Sequence, residues 1–71
     1  MTADDLTAAL DALESAKANI MAARADAITA SVKLAGARQR RADELANKLA
    51  GCLVHVQRLA VIVLGDIRAA D

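Results

Sequence analysis

The chain has 71 residues and no net formal charge, and 19 of its 40 apolar residues are alanine, so its apolar fraction of 56% overstates the core it can build. It is enough for one small domain. The lack of Phe, Tyr, Trp and Pro excludes aromatic base-stacking platforms, aromatic cages and proline-rich ligands. A single cysteine excludes an intramolecular disulfide framework and a four-cysteine zinc site, and zero net charge supplies no global basic field.

Met1 is followed by Thr2, Ala3, Asp4 and Asp5, without the positive charge and apolar run of a secretory signal. The longest apolar stretch, Leu49 to Leu64, is interrupted by His55, Gln57 and Arg58 and falls short of the roughly 20 residues that span a bilayer. A cytoplasmic protein with no membrane partner is the expectation.

Residues 2–35 contain neither Gly nor Pro and are rich in Ala, Leu, Asp, Lys and Arg, which predicts a first helix over about 2–35. Thr2 is its expected cap, with Asp5 in the reciprocal position of a capping box. Asp4 and Asp5 also suit the positive end of the helix dipole. Such a helix is about 50 Å long at 1.5 Å per residue.

Positions 6, 13, 20, 27 and 34 read Leu, Leu, Ile, Ala, Leu, and positions 9, 16, 23 and 30 are all Ala. Together they form a 3-4 seam on which alanines allow a neighbouring helix to approach closely. A second apolar strip, Leu10, Met21, Ile28 and Val32, lies beside it, with the stems of Lys17 and Arg24 covering adjacent surface. The combined face is about 200° wide, against just over 100° for an ordinary surface helix. One neighbour cannot cover it.

Gly36 is the expected end of the first helix, in the left-handed conformation that only glycine adopts at no cost. Nothing nearby caps a second helix, and Arg38, Arg40 and Arg41 oppose its dipole, so an unbroken rod through Gly36 is the competing reading. The hairpin is preferred because a single rod leaves its apolar strip in water. The second helix is expected over about 38–69, with a seam at Leu45, Leu49, Cys52, Val56, Leu59, Val63 and Ile67, widened by Leu53, Ala60 and Leu64. The β-branched run Val54 to Val63 favours strand locally, but no turn chemistry divides it, and the helical spacing is the better account. Val54, Val61 and Ile62 fall outside the seam, around Arg58, with Gly51 and Gly65 on the same side. Three such residues make a patch rather than one stray valine.

Little in the chain carries reactive chemistry. Cys52 and His55 stand one helical turn apart, but no further His or Cys completes a zinc site, and no third group orients a nucleophile–base pair. Cys52 is read as a small buried apolar residue and His55 as a boundary side chain. No catalytic residue, metal or cofactor is expected. The segment Arg24 to Lys48 carries +3 and the rest of the chain −3, so a hairpin gathers positive charge at its turn.

In size and expected shape the chain resembles the Rop-type RNA-binding helical hairpins, which implies nucleic-acid contact through Arg38, Arg40 and Arg41. The six residues Val63 to Arg68 resemble the ends of small hairpin chaperones of type III secretion needles, a stretch too short to assign a family.

The expected fold is all-α, a two-helix antiparallel hairpin over residues 1–71 that dimerises into a four-helix bundle. Ordering the chain costs about 1.5 kcal/mol per residue, more than one helix–helix interface of this composition offsets. The self-association seam is assigned to Leu6, Leu10, Leu13, Ile20, Met21 and Ile28 of the first helix and to Leu45, Leu49, Val56 and Val63 of the second. The expected function is non-enzymatic: binding and masking a partner protein, as a small inhibitor, anti-activator, adaptor or chaperone. The size is typical of accessory proteins of phages and mobile elements. Val54, Arg58, Val61 and Ile62 are the expected contact with the partner. The alternative is a small RNA- or DNA-binding regulator that uses the arginines at the turn.

Overall fold

The computed structural model describes residues 2–70, so Met1 and Asp71 lie outside the described residues. Two helices, α1 (Ala3–Lys33) and α2 (Gly36–Ala70), form an all-α hairpin, with no strand among the described residues. Thr2 caps α1 through a complete capping box. Its Oγ1 accepts from the Asp5 N–H at 3.1 Å, and its own N–H donates to Asp5 Oδ2 at 3.3 Å, so two otherwise orphaned amides are satisfied. The helix ends at Leu34, which turns to extended backbone (φ −102°, ψ 168°) while its N–H still donates to the Ala30 carbonyl at 3.1 Å. Gly36 then takes φ +63° and starts α2. The reversal therefore needs only Leu34 and Ala35, with the left-handed residue opening the second helix rather than closing the first.

The interface between the helices changes character along its length. Near the turn, Ala27, Ser31, Ala42 and Ala46 are buried. Their small side chains let the helices pack closely. Toward the open end the larger Leu6, Leu13, Ile20, Leu49, Leu53, Val56, Val63 and Ile67 fill the interface but remain half-buried. Among the described residues no side chain is completely enclosed.

The facing residues keep a seven-residue repeat in both helices: on α1 Leu6, Leu13, Ile20 and Ala27 with Leu10, Lys17 and Ser31, and on α2 Ala42, Leu49, Val56 and Val63 with Ala46, Leu53, Ala60 and Ile67. A seven-residue step falls 20° short of two turns on a straight helix, so a repeat held in contact over this length is the 3-4 packing found in coiled coils. On α1, Ala9 and Ala16 are half-buried, whereas Ala23 and Ala30 of the same column are exposed. Near the turn, contact stays with Ala27 and Ser31, the last members of the two facing columns. On α2 the side facing α1 is Ala42, Ala46, Leu49, Leu53, Val56, Ala60, Val63 and Ile67. The expected seam members Leu45, Cys52 and Leu59 lie on its flank and are exposed. That corrects both the second-helix seam and the reading of Cys52 as buried.

The molecule measures 53 × 14 × 13 Å, with a radius of gyration of 16.1 Å. A compact chain of this length has about 11 Å. Its accessible surface is 5254 Å², whereas a compact monomer of this mass exposes about 4,200 Å². The excess, about 1,000 Å², is close to what one partner contributes to a standard protein–protein interface.

Candidate functional site

The hairpin presents two broad faces, and each carries apolar residues with nothing packed on them. On the first face, Leu10, Leu13, Glu14 and Lys17 of α1 meet Val56, Gln57, Ala60, Val61 and Leu64 of α2 around a groove of about 360 Å³. Gln57 and Val61 also belong to a flatter patch completed by Val54, Arg58 and Ile62. The groove and the patch are thus one surface. All four residues expected to contact a partner lie on it, with Val61 70% and Ile62 61% exposed. It is apolar in its middle, and Lys17, Arg58 and Glu14 supply its charge.

The strip expected beside the α1 seam lies on the same side. Leu10 lines the groove, while Met21, Ile28 and Val32 continue toward the turn, and Val32 is 79% exposed. The remaining residues assigned to self-association divide into two groups. Leu6, Leu13, Ile20, Leu49, Val56 and Val63 are half-buried between α1 and α2 of one chain, whereas Leu45 is exposed.

The opposite face is built differently. At 100° per residue, the alanines at 9, 16, 23 and 30 of α1 and the column Leu45, Cys52 and Leu59 of α2 turn to this side. Leu45 is 51% and Leu59 49% exposed, and the Cys52 thiol is free and exposed. Sequence reasoning placed these α2 residues in the hairpin seam. Spacing alone does not separate them, because Leu45, Cys52 and Leu59 and Ala46, Leu53 and Ala60 flank the column Leu49, Val56 and Val63 with the same 3-4 step.

Arg38, Arg40 and Arg41 are all exposed in the first two turns of α2. Arg38 and Arg41 lie about 60° apart around the helix, and Arg40 points about 160–200° away from Arg38. The three charges surround the helix end rather than line one groove-facing stripe. His55 is exposed. Among the described residues no three of His, Cys, Asp and Glu are gathered as metal ligands. By length and composition α2 is long and apolar enough to cross a membrane, with a mean hydropathy of 1.5 in its most apolar window, of which 6% is buried. The chain matches no protein-family model, no curated protein and no solved structure.

Proposed function

We propose that this hairpin is a protein-interaction module that works by covering a surface of a partner protein, and that it does so as a homodimeric four-helix bundle. The observation that carries this reading is the shortage of interior. Among the described residues the buried ones are three alanines and a serine, while the larger aliphatic side chains lie half-covered between the helices or exposed on the two faces. Two stacked hairpins bury part of the apolar surface that one hairpin leaves in water.

Partner contact is assigned to Val54, Arg58, Val61 and Ile62 with the adjoining groove. An apolar centre beside an arginine suits a protein interface, since the guanidinium stacks and makes forked hydrogen bonds at its rim. The test is affinity enrichment from nuclease-treated native lysate with wild type and with Arg58→Ala/Val61→Asp. Both changes are at exposed helical positions, so helix content is unchanged. The expected result is a protein retained by wild type and lost by the double variant.

A second reading, a nucleic-acid-binding regulator, is favoured by the exposure of Arg38, Arg40 and Arg41 beside the turn. It predicts a tight, salt-sensitive complex with RNA or duplex DNA that vanishes when all three are Ala. The dispersal of the three around the helix weighs against it.

A further inference from the structure

One column of α2 is symmetric about its own centre. Reading every seventh residue gives Arg38, Leu45, Cys52, Leu59 and Asp66, and all five are exposed. Cys52 lies at the middle of α2 (Gly36–Ala70). If a second α2 is laid antiparallel on this column with the dyad at Cys52, Leu45 meets the copy's Leu59, and Arg38 meets its Asp66. Apolar residues then face apolar residues, and each charge faces its opposite.

From this symmetry we infer that the face bearing Leu45, Cys52 and Leu59 docks a second copy of the chain, α2 against α2 and turns at opposite ends. The inference rests on the proposed self-association and fixes its face and direction. Three further observations agree with it. The turn half of the hairpin, residues 19–53, carries six bases against three acids, and the described part of the open half carries five acids against three bases. Antiparallel stacking sets unlike ends together, whereas stacking with both turns at one end sets like charges together. The α1 surface on this face is alanine at 9, 16, 23 and 30, which leaves the backbone room to approach its own copy. A crossing angle near +20° keeps a seven-residue column in contact along its length. The excess accessible surface is also about the share that one subunit gives to a standard interface. Val54 and Val61, about 160° around α2 from the column, stay open in the dimer with the adjoining groove, whereas Ile62 lies about 60° from Leu59 and flanks the contact.

Directed oxidation tests this geometry. A diazenedicarboxamide oxidant joins two thiols as one disulfide and takes up their two hydrogens. A disulfide forms only where Cα atoms come within about 4.4–6.8 Å, so wild type should convert to a covalent dimer through Cys52. In a Cys52→Ser background, Leu45→Cys alone and Leu59→Cys alone should stay uncoupled, because like positions sit about 21 Å apart across the dyad at 1.5 Å per residue. A mixture of the two single-cysteine chains should couple. Val61→Cys in the same background, on the open face, should not. Arg38→Asp should raise the dimer dissociation constant roughly two- to tenfold at low salt, and Asp66→Arg in the same chain should restore it. Light scattering before oxidation separates the two levels of the account. A dimer that couples through Val61→Cys, or not at all, overturns this face and direction while leaving self-association standing. A folded monomer overturns both.

Discussion

The Ser31 hydroxyl donates a hydrogen bond to Asp43 Oδ1 across the turn, joining the last helical turns of α1 to the early turns of α2. Ser31 is buried near the turn, as are Ala27, Ala42 and Ala46. A buried hydroxyl among alanines requires a partner, and Asp43 supplies it from the facing helix. The bond also sets the register, since sliding α2 by one residue would carry the carboxylate about 100° around the helix.

Ser31→Ala and Asp43→Ala should therefore be coupled. Each removes one bond, worth about 0.5–1.5 kcal/mol net, and Asp43→Ala also strands the buried hydroxyl. A double-mutant cycle in urea should give an interaction energy of about 0.5–1.5 kcal/mol. Simple additivity would show that the bond contributes nothing.

Enlarging the small residues near the turn should be costly. Ala42→Leu and Ala46→Leu each push a four-carbon side chain into a buried part of the interface, and overpacking of that kind costs about 1–3 kcal/mol. Leu13→Ala, at a half-buried position, should cost about 1–3 kcal/mol, at or below the low end of the range for full burial. Val32→Ala should lie within about 0.5 kcal/mol of wild type if measured where the chain is monomeric. Thermal or urea unfolding gives this ranking directly, and equal effects at Ala46 and Val32 would contradict the placement of the interface.

Glycine to alanine should act in opposite directions at two sites. Gly36 has φ +63° with open space where a Cβ would point, so Gly36→Ala costs about 1–2 kcal/mol from the backbone alone. Gly51 lies in mid-helix, also with open space, and Gly51→Ala should stabilise by about 1 kcal/mol through helix propensity. Melting temperatures should move apart accordingly, and a shift of the same sign at both would show the turn to be formed elsewhere.

Local chemistry made much of the fold legible. Thr2 with Asp5 marked the start of α1, the Gly-free run marked its length, and Gly36 marked the reversal. Those features act within a few residues, so the sequence displays them directly. The facing residues were harder to read because alanine is everywhere. Ala42 and Ala46 give no contrast against nineteen alanines, whereas Leu45, Cys52 and Leu59 look like a seam by size. They flank the column Leu49, Val56 and Val63 at the same spacing as Ala46, Leu53 and Ala60, and which flank faces α1 is a property of the pair rather than of either segment. The patch at Val54, Arg58, Val61 and Ile62 was legible as apolar residues off the seam. Its continuity with the groove was not, since Leu10, Leu13 and Lys17 reach it only through the antiparallel pairing of α1 with α2.

Charge at the turn offers a separate check on the choice of partner. Replacing Arg38, Arg40 and Arg41 by Ala should leave helix content intact and leave capture of the partner protein at least half of wild type. Filter binding with RNA and duplex DNA across a salt series should show weak binding for both proteins. A steep salt slope in wild type that the triple variant loses would instead support the nucleic-acid reading.

The mass of the chain in solution is the most direct measurement of the central claim, that one hairpin is an incomplete unit. Light scattering at micromolar concentration should give at least twice the 7.4 kDa of a single chain, with the fraction of monomer rising as helix content falls on dilution. A folded, fully helical species of 7.4 kDa persisting at low micromolar concentration would contradict it.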